Sequence, residues 1–347
     1  MKLSRRHLLT LASLATASGM VACSASGSGK GSSAPGSDRG TPSPMEVLRT
    51  WIPSTLAFAA PMVGFGRQLE ANGMVGKVDV QTWASVDVLT SLLVNGEADV
   101  AATPSYVSAN LYNKGADLRL AAITVWGMLY LLGPSEVTET DDLGVLRGKR
   151  VGVPMPNNMP DLVFRYLLKE QSVPTDELEI VPFTEPQELL NAFVQGGIEF
   201  AVLLEHPATV AIAKATQAGR QVTRVANLQK VWAKVTGGEA RFPMAGIAVS
   251  QRIATDTSLL GAILNDLGSA VAQVNAAEDA TVTKIAETTQ VDAGIVKQVI
   301  PRLQLEMVPA NDAKQELTNF FTRLSTLSPD IIGGKLPDEE FFLVDPR

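Results

Sequence analysis

Beyond its first 44 residues, this chain places its hydrophobic positions in two alternating patterns. Short apolar runs of strand length alternate with longer stretches in which apolar residues recur every three or four positions, as on one helix face. The strand-like runs are Glu46–Trp51, Lys77–Trp83, Ala98–Thr103, Leu118–Leu132, Lys149–Pro154, Leu178–Phe183, Ile198–Leu204, Gln221–Leu228 and Met244–Ser250. Between them the period predicts helices over Ala59–Ala71, Val86–Val94, Ser105–Asn113, Asp161–Gln171, Glu185–Val194 and Pro207–Ala218. Thr184-Glu185-Pro186-Gln187 has the spacing of a capping box with a proline in the first turn, which places a helix start there. From Asp256 the pattern is mostly helical, over Asp256–Ala276, Ala280–Thr288, Ala293–Leu303 and Asp312–Leu327, with Pro301 ending the third. Strands and helices alternating in this way predict a layered α/β fold.

A faint repeat divides that pattern. Val94-Asn95-Gly96-Glu97-Ala98-Asp99-Val100-Ala101 aligns with Val194-Gln195-Gly196-Gly197-Ile198-Glu199-Phe200-Ala201. In each, a helix ends at glycine and an acidic residue precedes a buried strand. The offset of 100 residues is too long for a solenoid repeat and fits two similar lobes. The length of 347 residues agrees, at about 100–200 residues per domain.

The first 44 residues read differently. Lys2, Arg5 and Arg6 precede an uncharged stretch from Leu8 to Ala22. That stretch is too short to span a bilayer, which takes about 20 residues, but suits the apolar core of a signal peptide. Ser4-Arg5-Arg6-His7-Leu8-Leu9 resembles a twin-arginine export signal. Met20-Val21-Ala22-Cys23 resembles a bacterial lipobox, in which the cysteine is lipidated, as by palmitate, and becomes the new N-terminus. Cys23 is the only cysteine in the chain. Residues 24–44 follow, 15 of the 21 being Gly, Ser or Pro, a composition that cannot bury enough apolar area to order itself. The expected organisation is a signal peptide over residues 1–22, a tether over 23–44 and a folded part from Met45. The implied location is the outer face of the bacterial cytoplasmic membrane or the periplasm.

Charge and composition narrow the function. The 29 basic and 36 acidic residues give a net charge of −7; without residues 1–44, which hold five basic and one acidic, 24 and 35 remain, a net −11. An acidic chain of this kind does not suit nucleic acid or anionic lipid, so an acyl chain on Cys23 would hold it at the membrane. One cysteine and two histidines leave no intrachain disulfide, CxxC pair or His-rich metal site. No cofactor is expected.

Three segments of the folded part carry a resemblance to the solute-binding proteins of ABC importers, in particular the nitrate, sulfonate, taurine and thiamine-precursor group. Leu92-Leu93-Val94-Asn95-Gly96-Glu97-Ala98-Asp99-Val100-Ala101 resembles that family's helix-to-strand passage. Leu146-Arg147-Gly148-Lys149-Arg150-Val151-Gly152-Val153-Pro154 resembles its entry into the second lobe, and Gly196–Val202 with Glu205-His206-Pro207 resembles a later strand end. The resemblance runs from about Met45 to Leu327. It implies a two-lobed periplasmic binding protein type II fold with a hinge of two crossing segments, near Leu129–Pro134 and Phe242–Gly246. Lobe one would comprise residues 45–129 and 247–347, lobe two residues 130–246. The implied partners are a small-molecule solute and the permease and ATPase subunits of an importer.

Ligands of open α/β sheets lie beyond the carboxyl ends of the strands, against helix N-termini. On that rule the candidate ligand-binding residues are Trp51, Thr55, Trp83, Ser85, Thr103, Pro104, Ser105, Tyr106, Trp126, Asn157, Asn158, Glu205 and Arg241. Tryptophan offers a large flat surface and one donor. Ser85 and Ser105 are also candidate N-caps. Arg241 is the candidate cation for an anionic ligand, and His206 reads as a first-turn helix residue. The candidate loops hold no run of arginines, which a dedicated oxyanion site would use. Tryptophans and amides favour a small N-heterocycle or other flat organic solute, with nitrate-, sulfonate- or taurine-like anions as the alternative. A GxSxG elbow, P-loop or HExxH motif is not present in the sequence. The expectation is a binding protein rather than an enzyme, the same fold also resembling some enzymes and sensors.

Overall fold

The computed structural model describes residues 45–347; the expected signal segment, Cys23 and the tether lie outside them. The chain begins with β1 (Met45–Ile52), α1 (Leu56–Met62), α2 (Arg67–Ala71), β2 (Val75–Thr82), α3 (Val86–Val94), β3 (Val100–Pro104), α4 (Ser105–Asn113) and β4 (Leu118–Val125). It then crosses to β5 (Leu129–Pro134), β6 (Arg150–Pro154), α5 (Met159–Glu170), β7 (Glu179–Phe183), α6 (Pro186–Val194), β8 (Phe200–Leu204), α7 (Glu205–Gln217), β9 (Val222–Asn227) and α8 (Leu228–Thr236). It returns through β10 (Ala245–Ser250), α9 (Gln251–Thr255), α10 (Thr257–Ala276), α11 (Asp279–Thr289), α12 (Ala293–Val299), β11 (Leu305–Pro309) and α13 (Lys314–Ser325).

Two sheets result. The first has the order β11-β4-β10-β3-β1-β2 and the second β7-β6-β8-β5-β9. β1, β2 and β3 run parallel, as do β6, β7 and β8. The strand that arrives from the other lobe, β10 in one sheet and β5 in the other, is antiparallel to both neighbours. Five strands therefore correspond in order, β2-β1-β3-β10-β4 to β7-β6-β8-β5-β9. The repeated segments end α3 and α6 and open β3 and β8. At both helix ends the glycine takes the left-handed backbone that side chains disfavour, φ 66° at Gly96 and 83° at Gly196.

The run Leu118–Leu132, expected as one strand, is two strands in different sheets. It breaks at Trp126-Gly127-Met128, where φ reaches 137° at Gly127 and 114° at Met128. The first crossing is thus 126–128, and Leu129–Pro134, expected to cross, is a strand of the second sheet. The return crossing is 237–244, because Ala245 and Gly246 already pair with β3 and β4. Gly246 is required there: a Cβ would stand 2.0 Å from the Ala122 carbonyl oxygen.

Other expectations are corrected locally. Ala59–Ala71 is interrupted by Gly66 at φ 94° and forms two short helices. Thr184 caps nothing; the helix starts at Pro186 with Glu185 at the N-cap and no side-chain cap. The helix α8 and the strand β11 had no counterpart in the pattern reading. α8 buries Leu228, Val231 and Trp232 on one face, is capped by the Asn227 side chain and ends at Gly237. One core runs through both sheets, with a smaller cluster under α6 and α7. A chain of aromatic rings crosses with it, from Tyr166 and Trp232 through Phe242 on the return crossing to Phe320 and Phe321. Phe242 and Phe320 stack within 3° of parallel, which fixes that crossing against α13.

Candidate functional site

A cavity of about 350 Å³ opens where the carboxyl ends of β1, β2, β3, β6 and β8 meet the two crossings. The first sheet contributes Pro53, Ser54 and Thr55 after β1, Trp83, Ala84 and Ser85 after β2, and Pro104, Tyr106 and Val107 around the start of α4. The second contributes Met155 after β6, Asn158, Met159 and Pro160 at the start of α5, and Leu204 after β8. Met128 and Met244 reach in from the crossings, and Phe58 and Val86 complete the wall. None of these residues carries a charged side chain.

Five lining residues are helix N-caps: Thr55, Ser85, Pro104, Asn158 and Leu204, of α1, α3, α4, α5 and α7. Backbone N–H groups at such ends carry partial positive charge and lack intrahelical acceptors. Three of these helices hold an acidic residue in the first turn, Asp87, Asp161 and Glu205, whereas α1 and α4 hold none. Asp161 is buried, accepts from the Asn157 N–H at 2.9 Å and pairs with Arg165 at 2.6 Å. Glu205 is fully buried and pairs with Arg224 and Arg302, each at 2.7 Å, while Thr209 donates to it at 2.7 Å. The electron-poor ends that face the cavity without a nearby acid are therefore those of α1 and α4.

Of the thirteen candidate residues, six line this cavity: Thr55, Trp83, Ser85, Pro104, Tyr106 and Asn158. The Trp83 indole N–H is already satisfied by the Ala102 carbonyl at 3.2 Å, so its ring forms the wall. Ser85 caps α3, its hydroxyl accepting from the Val88 N–H at 3.3 Å. Tyr106 donates to Asn158 Oδ1 at 2.8 Å and so links the two lobes across the cavity. Burial pushes the Tyr106 hydroxyl far above the usual tyrosine pKa, with the Met159 amide acting weakly in the other direction.

The other seven lie elsewhere. Trp51 donates to the Glu97 carbonyl at 3.1 Å, outside the cavity wall. Thr103 is buried in β3. Ser105 is not an N-cap; it is the first residue of α4, fully buried, and donates to the Pro243 carbonyl of the return crossing at 2.5 Å. Asn157 holds the turn before α5 with φ 61°. Glu205 serves the buried ion cluster just described. Trp126 donates to the Glu306 carbonyl at 3.0 Å and lies beneath Arg241, whose guanidinium carbon is 4.2 Å from the ring centre. Arg241 is itself held by Glu239, Glu306 and Glu316 at 2.8–3.0 Å. His206, beside the cluster, is pushed below the usual histidine pKa by burial, against the opposing pull of Glu205.

The sequence reading missed the four methionines of the wall, Met128, Met155, Met159 and Met244. Two of them, with Asn157, are among the seven non-glycine residues at positive φ in the described chain. Strained backbone of this kind gathers at ligand sites. Methionine carries no sequence mark of it.

The sequence model of a family described as "Menaquinone biosynthesis" matches residues 76–326. No curated protein sequence matches the chain. Among solved structures, the chain is similar to an ABC transporter protein from Parabacteroides distasonis at 21% identity, covering 86% of this chain and 98% of that one, with a TM-score of 0.70. It is similar to the periplasmic aliphatic sulphonate binding protein SsuA from Escherichia coli at 14% identity, covering 87% and 93%, TM-score 0.67. The periplasmic nitrate-binding protein NrtA from Synechocystis shares 12% identity over 83% and 84%, TM-score 0.62. These likenesses establish the fold as that of two-lobed periplasmic binding proteins.

Proposed function

The chain belongs to the menaquinone-biosynthesis family, and from that premise we propose that it works by binding, as the extracytoplasmic solute-binding subunit of an ABC importer. Its solute is a small, flat, largely apolar organic molecule that bears an electron-rich polar group. The observation that carries this reading is the cavity between the two sheets. Its wall of Trp83, Phe58 and four methionines suits a flat apolar body, and the N-termini of α1 and α4 suit a carbonyl, ring nitrogen or carboxylate.

The same N-termini support a second reading, a nitrate- or sulfonate-like anion held by backbone N–H groups. The apolar wall weighs against it, because a small oxyanion leaves most of that wall unused and loses more hydration than neutral donors return. An enzymatic role within the family would need a proton acceptor or donor at the solute. Of the side chains that ordinarily act as general acid or base, the cavity wall holds only Tyr106, and its hydroxyl is engaged by Asn158.

The two solute readings separate in a thermal-shift screen of the purified chain against neutral heteroaromatics, quinones, sulfonates and nitrate, with native mass spectrometry of any co-purified molecule. A solute that binds only the native state raises the melting temperature, by an amount that grows with the logarithm of its concentration relative to its Kd. A rise confined to nitrate and sulfonates would overturn the apolar-solute reading. Turnover of a bound compound would overturn the binding-protein reading.

The proposal includes export and anchoring through lipidated Cys23, with residues 24–44 as the tether to the membrane. The permease and ATPase are then its partners. Cys23→Ala is expected to move the protein from the membrane fraction to the soluble one; unchanged retention would exclude the anchor.

A further inference from the structure

Asn158 occupies a position where its side chain would ordinarily serve its own helix. An asparagine at the N-cap accepts from the second or third N–H of the helix that follows. Asn158 is the N-cap of α5, with extended backbone at φ −103° and ψ 175°, yet makes no such cap. Its Oδ1 instead accepts from the Tyr106 hydroxyl at 2.8 Å. Tyr106 is on α4 in the other lobe and is buried. Pro160 at the second helical position removes one N–H that the side chain could have capped. Because the Tyr106 hydroxyl donates to Oδ1, the oxygen of the side-chain amide is turned toward Tyr106.

The other end of that amide is then left over. Asn158 Nδ2 has no acceptor among the described residues, and Asn158 lines the cavity. Tyr106 and Trp83 have their donors engaged, on Asn158 and Ala102; the other side-chain donors of the wall are the Ser54, Thr55 and Ser85 hydroxyls of the first lobe. A neutral donor pair at the edge of an apolar cavity selects strongly, because a solute that cannot accept from it leaves a desolvated N–H unpaired.

We propose that Asn158 is the specificity-determining residue of the cavity, held across the cleft by Tyr106 so that Nδ2 donates to a hydrogen-bond acceptor on the rim of a flat apolar solute. The inference rests on the solute-binding reading above and adds two features to it. The solute carries a ring nitrogen or carbonyl at its edge. Recognition of that atom is coupled to lobe closure, because one amide serves both contacts.

Two probes of nearly equal shape test the acceptor requirement without altering the protein. Quinoline has a ring nitrogen where naphthalene has a C–H, and 1,4-naphthoquinone supplies carbonyl oxygens. Binding to the full chain is read by thermal shift and tryptophan quenching. Quinoline and naphthoquinone are expected to bind at least tenfold more tightly than naphthalene. Asn158→Asp keeps an acceptor for Tyr106 and a good N-cap but replaces the donor with a carboxylate. It should weaken quinoline and naphthoquinone at least tenfold and abolish their advantage over naphthalene. Tyr106→Phe removes the link and should weaken all three probes together.

Equal binding of the three probes by the native chain, or Asn158→Asp binding quinoline as the native chain does, overturns the role of Asn158 and leaves the solute-binding reading intact. Binding of none of the three by the native chain overturns both the acceptor rule and the apolar cleft. An Asn158→Asp protein that melts far below the native chain would mark Asn158 as structural, and the native-chain comparison of quinoline with naphthalene then decides the acceptor rule alone.

Discussion

At the scale of single residues, the four tryptophans separate by what their N–H groups do. Trp51 and Trp126 spend theirs on backbone carbonyls of distant segments, Glu97 and Glu306, and stand outside the cavity. Trp83 also has its N–H satisfied, but its ring forms part of the wall. Trp232 is packed among Tyr166, Phe242 and Phe320. A solute in the cavity should therefore change the emission of Trp83 and of no other tryptophan. Trp83→Phe keeps an aromatic wall while removing that fluorophore. The variant is expected to bind any solute found in the thermal-shift screen within about fivefold of the native chain, yet to give no quenching. Persistent quenching in the variant would place the responding tryptophan elsewhere.

The same residues show what was legible in the sequence. The rule that ligands sit beyond parallel strand ends found Thr55, Trp83, Ser85, Pro104, Tyr106 and Asn158, since each ends a strand or follows one by a few residues. It failed where a long-range partner decides the outcome. Arg241 read as a free cation because Glu306 and Glu316, which hold it, are 65 and 75 residues further along. Ser105 read as a cap, but the Pro243 carbonyl claims its hydroxyl from 138 residues away. Met128 and Met155 depend on positive φ, which nothing in a methionine announces.

At the scale of elements, the crossing from β4 to β5 is the place where sequence periodicity misled. Leu118–Leu132 is apolar almost throughout, and an unbroken apolar run gives no sign of which sheet each half joins. The physical break is Gly127. Its φ is 137°, and a Cβ there would lie 2.4 Å from Gln229 Cγ and 2.6 Å from Gln304 Oε1. Gln304 can swing away, but Gln229 is fully buried and its Oε1 accepts from the Leu129 N–H at 2.8 Å, tying α8 to the first residue of β5. Gly127→Ala therefore combines left-handed strain with displacement of that bond. We expect a loss of about 1–3 kcal/mol, seen as a melting temperature lower by several degrees. An unchanged melting temperature would mean that the crossing relaxes freely and does not set the lobe geometry. The helices α3 and α4, by contrast, begin and end where the pattern placed them. Short strands, amphipathic helices and glycine ends are local properties, and local properties are what a single sequence carries.

At the scale of the molecule, three side-chain bonds among the described residues join the lobes away from the crossings, and they differ in what breaking them would leave behind. Tyr106 reaches Asn158 at the cavity, Arg323 on α13 donates to the Tyr166 hydroxyl at 3.0 Å, and Arg302, just before β11, pairs with Glu205 on α7. Glu205 also has Arg224 from its own lobe. Removing Arg302 thus costs the closed form one charge-assisted bond without stranding a buried carboxylate. An open form, in which Arg302 would be solvated and Glu205 still paired, loses nothing. The substitution Arg302→Gln is therefore expected to shift the equilibrium toward opening rather than to unfold the chain. A charged hydrogen bond of this kind contributes about 1.5–3 kcal/mol, reduced by the partial exposure of Arg302 to about 1 kcal/mol. Binding of the solute found by thermal shift should weaken about fivefold, because affinity falls with the population of the closed form. The loss should be in the dissociation rate, since the encounter is with the open form in either protein. Arg302→Gln combined with Arg323→Gln should weaken binding further and enlarge the radius of gyration of the solute-free chain in small-angle scattering. If the single variant binds as tightly as the native chain and melts at a lower temperature, the Glu205 cluster holds one lobe together and has no part in closure.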